Sequence, residues 1–169
     1  MTDRYDFRPA RLTDVVAIGR ILDDAVARML SEGKTQWNES YPPEMHVLAD
    51  MTAGNAYVME RADRVLAYGA VILTGEDAYN HLRGEWISDK PYVVIHRMAV
   101  AREAQRQGVA RRFFQAVERL ATGKGIMSIR VDTNFDNDRM LRLLESAGFE
   151  YCGEVSYASG SRMAFEKTL

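Results

Sequence analysis

Hydrophobic positions along the chain change period several times, and each change marks an element. "YDFRPA" predicts a short first strand, after which "LTDVVAIGRILDDAVARML" shifts to helical spacing. Val16, Ile18, Ile21, Leu22, Ala25, Val26, Met29 and Leu30 fall near one stripe; Thr13 or Asp14 is placed to cap this helix and Gly33 to end it. "PPEMHVLADMTAG" predicts a second, shorter helix with Pro42 or Pro43 in its first turn. "NAYVMERADRVLAYGAVILT" reads as two strands about a turn at Asp63. "YVVIHRMAV", rich in β-branched residues, reads as a buried central strand.

The helical period returns from about Gln107, carried by Val109, Phe113, Ala116, Val117 and Leu120. "IMSIRVDTN" is a further strand, and "NDRMLRLLESAGF" a helix opened by Asn137 or Asp136 and closed by Gly148. "FEYCGEVSY" and "SRMAFEKTL" end the chain as an antiparallel pair. The helix lying between "YVVIHRMAV" and "IMSIRVDTN" makes those two strands a parallel crossover unit. The order is therefore that of an α/β fold with a mixed central sheet. Residues 74–91, "TGEDAYNHLRGEWISDKP", carry no clear period, and a connection of that length in a compact domain is often functional.

Composition narrows the class of protein. The 169 residues fit a single domain, 1–169, and 47 % hydrophobic with 27 % charged residues is an ordinary globular balance. A formal charge of −2 gives no general attraction to nucleic acid or to an anionic membrane, and no apolar run is long enough to cross a bilayer. The first residues, "MTDRYDFRPARLTD", lack the apolar stretch of a signal peptide, and a single cysteine, Cys152, precludes an internal disulfide. These features together predict a cytoplasmic protein.

The most informative junction is "QRQGVA", Gln105–Ala110, where the central strand gives way to a helix. Glycine is costly in a first helical turn, so Gly108 there answers a need such as close approach of another object to the backbone. Free N–H groups at a helix start, the helix dipole, and Arg106, Arg111 and Arg112 beside them make an anionic object the natural one. A tight turn with solvated arginines would need the same glycine. The chain has no G-x-x-x-x-G-K-[ST] sequence, nor a G-x-G-x-x-G sequence after a strand.

"HRMAVAREAQRQGVARRFF" resembles the acyl-CoA-binding motif Q/R-x-x-G-x-G/A of the GNAT superfamily of N-acetyltransferases, with Gln105, Gly108 and Ala110 filling the signature. "NDRMLRLLESAGF" is similar to that family's second motif, an Asn opening a helix that ends in Gly-Phe, and the order of elements matches the domain from Tyr5 to Leu169. The resemblance implies a mixed sheet with helices on both faces and a splay between its two parallel central strands. It implies acetyl-CoA as cosubstrate, its pantetheine arm along the backbone of Met98, Ala99 and Val100. The diphosphate would rest on Arg106, Gln107, Gly108, Val109, Ala110 and Arg111 after Gln105, with Asn137 near the cofactor. For Asn137 a plain helix cap is an equal reading.

Acetylating an amine requires a base, because an alkylamine with a pKa of about 10.4 is protonated at neutral pH. His96 is the first candidate: it lies four residues before Val100, where family members that acetylate arylalkylamines also carry histidine, and strand alternation groups it with Val94 and Met98. Asp132, on the next strand, is the rival. Each has a structural alternative, a sheet histidine or a paired carboxylate. Many family members protonate the leaving thiolate with a tyrosine at the position held here by Leu144, which has no proton to give. Cys152 reads as a small buried hydrophobe rather than a nucleophile, and His46 and His81 lack metal-ligand spacing, so no metal site is expected.

Trp37, Tyr41, Tyr79, Trp86 and Tyr92, in or beside the connections, could line an acceptor pocket, pack loops or form a homodimer contact; Glu85 and Asp89 would attract a cationic amine or are ordinary loop charges. The sequence thus predicts an acetyl-CoA-dependent N-acetyltransferase acting by direct attack on an unidentified amine-bearing small molecule or peptide. The missing tyrosine leaves a non-catalytic acyl-CoA-binding module as the alternative. An interaction protein that merely keeps the fold is a third reading, against which the intact Gln105–Ala110 signature stands.

Overall fold

The computed structural model describes residues 4–37 and 44–169. Among these described residues eight strands and four α-helices follow in chain order: β1 (Tyr5–Pro9), α1 (Val15–Ser31), α2 (Glu44–Thr52), β2 (Ala56–Arg61), β3 (Arg64–Ile72), β4 (Arg83–Gly84), β5 (Val93–Val100), α3 (Val109–Gly123), β6 (Ser128–Thr133), α4 (Asp138–Ser146), β7 (Glu150–Tyr157) and β8 (Gly160–Thr168). The strands form one mixed sheet in the order β1-β2-β3-β5-β6-β8-β7-β4. Contacts divide the chain into two compact units, Met1–Val71 with Arg97–Phe113, and Ile72–His96 with Phe114–Leu169.

In the first unit, α1 buries Ile18, Ile21, Leu22, Ala25 and Met29 at the helical spacing its sequence carries. The ends of the expected stripe differ: Val16 and Leu30 are exposed, because at 100° per residue both turn away from the arc of Ile18, Ile21, Leu22, Ala25 and Met29, Val16 onto the opposite face. The Asp14 side chain does not cap α1. It accepts instead from the Arg11 amide (2.7 Å) and the Arg8 guanidinium (2.7 and 3.1 Å), and Arg8 holds its carboxyl below the ordinary carboxylate range. Gly33 does end the helix region, with φ +71°. Helix α2 forms where its period predicts; Tyr41, Pro42 and Pro43 lie outside the described residues.

Strands β2 and β3 are joined by Ala62 and Asp63, both with positive φ (49° and 60°), the two-residue turn that suits a twisted hairpin. Gly69 on β3 is required by packing rather than conformation: a Cβ there would meet the Phe113 ring at 2.8 Å. That ring also stands edge-on to Phe7 at 5.2 Å. Its complete burial contributes roughly 1.5–3 kcal/mol and fixes the first turns of α3 against β1 and β3.

The second unit is built on the first half of β5 (residues 93–96) with β6, β8, β7 and β4. The parallel pairing of β5 with β6 covers Val93↔Ile129 and Val94↔Arg130, while β6 continues to Thr133. The ladder thus stops at Val94, which is the splay expected of the central pair. A core of Tyr79, Val94, Val155 and Ala164 is wrapped by Ile72, Trp86, Tyr92 and Tyr157. Asn137 caps α4, accepting from the Met140 amide at 3.3 Å, and Gly148 closes it with φ +85°.

Residues 74–91 are more ordered than their lack of period predicts. They hold a 3₁₀ turn, Asp77–His81, and the two-residue strand β4 on the edge of β7. The reason lies elsewhere in the sequence. The fully buried Glu166 carboxylate accepts from the amides of Ile87 (2.6 Å) and Ser88 (3.3 Å), and the Arg130 guanidinium lies 4.2 Å from the Trp86 ring centre and 3.9 Å from that of Tyr92. Arg130 and Glu166 are themselves paired, Nε to Oε1 at 3.3 Å, so both sides of a buried ion pair hold the loop.

Candidate active site

Just past the end of β5 the Ala101 amide donates to the Leu66 carbonyl (2.7 Å), and the chain then turns through Arg102–Ala104. Arg106 (φ +62°) and Gly108 (φ +73°) carry the chain to the start of α3. The first bond of the helix runs from the Arg112 amide to the Gly108 carbonyl at 3.0 Å, so α3 itself offers no acceptor to the amides of Val109 and Ala110. No protein atom lies within 4 Å of where a Gly108 Cβ would stand. Conformation, not crowding within the protein, therefore demands glycine, and the backbone around it is open.

Of the expected cofactor residues, Arg106, Gln107, Gly108 and Arg111 are exposed; Met98, Val100, Gln105 and Ala110 are half-buried; Ala99 and Val109 are buried. The Gln107 side chain closes the turn by donating to the Glu103 carbonyl at 2.8 Å. Arg112 is turned over the Tyr5 ring, 4.8 Å from its centre. Backbone amides at a positive helix end with cations at their edge are the groups that would hold an anion.

In the second unit a polar cluster gathers around His96. The Nε2 atom is 3.0 Å from Glu76 Oε2, and Nδ1 is 4.0 Å from Asp132 Oδ2. The same Asp132 oxygen accepts from the hydroxyls of Tyr79 and Tyr157, each at 2.7 Å. The Glu76 carboxylate also accepts from the Ala78 amide (3.3 Å), and the Glu76 amide donates to the Tyr92 hydroxyl (3.4 Å), which fix the side chain at the start of the 3₁₀ turn. Burial pushes both tyrosines up, and the adjacent Asp132 charge adds to the shift, so they remain hydroxyl donors at every physiological pH.

With Nε2–H donating to Glu76, the Nδ1 lone pair is the one available to take a proton. The imidazolium so formed would stand between two carboxylates. His96 and Asp132, named as rivals by the sequence, are thus brought into one cluster. Glu76 and Tyr157 were missed. The length of the 74–91 connection was the one sign of Glu76, and nothing local marked Tyr157. Tyr79, expected as pocket lining, enters through its hydroxyl, while its ring packs on Trp86 (5.1 Å between centres).

One inference from strand alternation needs correction. Arg97, between His96 and Met98, has φ +52°, so the alternation that groups Val94, His96 and Met98 breaks there. Leu144 is fully buried, Cys152 is buried with its thiol pushed up by desolvation, and Trp37 is buried, whereas Glu85 and Asp89 are exposed. Among the described residues no helix is long and apolar enough to cross a membrane, and no three His, Cys, Asp or Glu side chains are grouped to hold a metal.

Comparison with known proteins bears on this geometry. Residues 23–149 match the family model described as the acetyltransferase (GNAT) family. A search of curated protein sequences found no match. Among solved structures, a GNAT-family acetyltransferase from Streptococcus agalactiae is 29 % identical with a TM-score of 0.89, the alignment covering 98 % of this chain and 95 % of that one. A GNAT-family acetyltransferase from Listeria monocytogenes is 19 % identical (TM-score 0.76; 98 % and 95 % covered). The Salmonella typhimurium protein yncA, a putative acetyltransferase with acetyl-CoA bound, is 18 % identical (TM-score 0.69; 98 % and 94 % covered).

Proposed function

Because the chain belongs to the GNAT acetyltransferase family, whose members transfer acetyl groups from acetyl-CoA, we propose that it is an N-acetyltransferase acting by direct attack within a ternary complex. The observation that carries the finer reading is the His96 imidazole set between Glu76 and Asp132, two residues before Met98 on the same strand. Acetyl-CoA rests its diphosphate on the amides between Gln105 and Arg111, beside the Arg106 and Arg111 side chains, and its arm on the backbone of Met98–Val100. Asn137, the cap of α4, is assigned to the cofactor by its place in the second motif alone.

His96 accepts the proton of the attacking amine, Glu76 orients the ring, and Asp132 stabilises the imidazolium. As the N–C bond forms, the thioester oxygen gains charge, which backbone N–H groups of Met98–Val100 would offset. The C–S bond then breaks and the thiolate leaves. Leu144 cannot protonate it, so another hydroxyl or water supplies the proton, or the thiolate leaves unassisted. Glu76 and Asp132 favour a cationic amine as acceptor.

The test is release of free CoA thiol from acetyl-CoA across a panel of amines and peptides, beside calorimetric binding of acetyl-CoA. Thiol release that depends on an amine supports the reading. Binding without release across the panel would instead establish the non-catalytic acyl-CoA module, which the aliphatic Leu144 favours.

A further inference from the structure

Within β5 the backbone takes a conformation that arginine ordinarily avoids. The other non-glycine residues of positive φ among those described lie in turns: Ala62 and Asp63 in the β2–β3 hairpin, Arg106 before α3. Arg97, with φ +52°, lies inside a strand that runs from Val93 to Val100. Left-handed backbone is unfavourable for a residue with a Cβ and persists only where the surroundings impose it.

The surroundings here are specific. The Arg97 guanidinium makes a two-point contact with Asp50 of α2, Nε to Oδ2 at 2.9 Å and Nη2 to Oδ1 at 2.6 Å. Asp50 also accepts from the Tyr68 hydroxyl of β3 at 2.5 Å, and burial of that phenol pushes its pKa up, so it stays a donor. Both charged side chains are nearly enclosed, 13 % and 7 % exposed, and Tyr68 is completely buried. The Asn55 amide closes the end of α2 on the Asp50 carbonyl at 2.7 Å. A planar guanidinium held at two points by a carboxylate that is itself fixed leaves the Arg97 backbone little freedom.

We propose that the Asp50–Arg97 pair is a positioning clamp: it holds the left-handed bend in β5 that presents the backbone of Met98–Val100 to the pantetheine arm and thioester of acetyl-CoA. The assignment rests on the acetyl-CoA reading above. It makes Arg97 and Asp50 positioning residues, acting through the strand and not on the reacting atoms.

Alanine and glycine separate the bend from the ion pair. Arg97→Ala and Arg97→Gly both remove the guanidinium, but only glycine adopts positive φ without penalty. The probes are acetyl-CoA and adenosine 3′-phosphate 5′-diphosphate, the part of CoA that lacks the pantetheine arm, each titrated by calorimetry into folded protein. Arg97→Ala should weaken acetyl-CoA by about tenfold or more and leave the nucleotide within about twofold. Arg97→Gly should recover most of the acetyl-CoA affinity. Asp50→Asn, which keeps the shape of the side chain but removes its charge, lies off the strand and should weaken acetyl-CoA selectively by a smaller factor; it also serves if Arg97→Ala does not fold.

Equal weakening by alanine and glycine would overturn the clamp, since the ion pair and not the bend would then matter. So would wild-type acetyl-CoA affinity in Arg97→Ala or Asp50→Asn, or a nucleotide affinity that falls in step with acetyl-CoA. If the wild-type protein binds neither probe, the acetyl-CoA reading itself fails and the clamp with it, a result distinct from all of these.

Discussion

Between Gln105 and Arg111 the proposed diphosphate site is made of backbone: amides at the start of α3, one glycine at φ +73°, and cations that need only be near. Around His96 the backbone is incidental. Glu76 comes from a 3₁₀ turn entry, His96 from β5, Asp132 from β6, Tyr79 from the 3₁₀ turn and Tyr157 from β7, and each atom must be within a few tenths of an ångström of its place. A backbone cradle is a local property, so six consecutive residues specify it. A side-chain cluster is a property of the whole second unit. The two should therefore fail differently: the first by losing affinity, the second by losing turnover.

The largest effect on turnover is expected at His96. His96→Ala should lower kcat by ~10²–10⁴-fold, the usual worth of a positioned base, while the Kd for acetyl-CoA stays near the wild-type value. Steady-state kinetics over pH with the best amine of the panel decides it. Wild-type kcat with an unchanged acidic limb would remove His96 and leave Asp132 or water as the base.

A smaller effect is expected at Tyr157, one of two donors to Asp132. Tyr157→Phe deletes one hydrogen bond to a charged group, worth about 1.5–3 kcal/mol, and should lower kcat by roughly one order of magnitude if Asp132 needs both donors to stay in place. It also carries a signature in stability. Unfolded phenols titrate near 10, and burial holds those of Tyr68, Tyr79 and Tyr157 higher in the folded chain. Above about pH 10 the unfolded chain releases protons the folded one keeps, so stability must fall as pH rises. Chemical denaturation between neutral and alkaline pH should show this fall, and Tyr157→Phe should make it shallower.

The smallest effect on chemistry is expected at Leu144. The side chain is fully buried, so Leu144→Phe should cost stability by overpacking, typically ~1–3 kcal/mol, with little change in single-turnover acetyl transfer. Leu144→Tyr would face the same enclosure and additionally bury a hydroxyl; faster transfer in that variant would show that protonation of the thiolate limits the rate. A loss of transfer by Leu144→Phe as steep as that of a base variant, in protein that folds and binds acetyl-CoA, would mean that Leu144 shapes the site.

The same contrast explains what could be read from the sequence. Helical period marked α1 and α3 because each buries one face, a continuous β-branched run marked β5 because its first residues are buried on both, and α4 was marked by its cap and its closing glycine; the Gly33, Asp63 and Gly148 turns announce themselves through residues that accept positive φ. The QRQGVA loop was legible for the same reason. The order within residues 74–91 was not, because it depends on Arg130 and Glu166, which lie far along the chain. Nor was the bend at Arg97: arginine gives no sign of left-handed backbone, which Asp50 and Tyr68 impose from two other elements. Tyr157 reaches Asp132 only because β6, β8 and β7 are neighbours in that order.

The claim that the loop binds acetyl-CoA through its backbone is tested most directly by titrating acetyl-CoA calorimetrically into folded wild-type, Gly108→Glu and His96→Ala proteins. Glutamate at position 108 strains the loop and sets a negative charge where the diphosphate would rest. The account predicts that binding is lost in Gly108→Glu, by at least about 100-fold, and kept in His96→Ala. Wild-type affinity in a folded Gly108→Glu variant would contradict it.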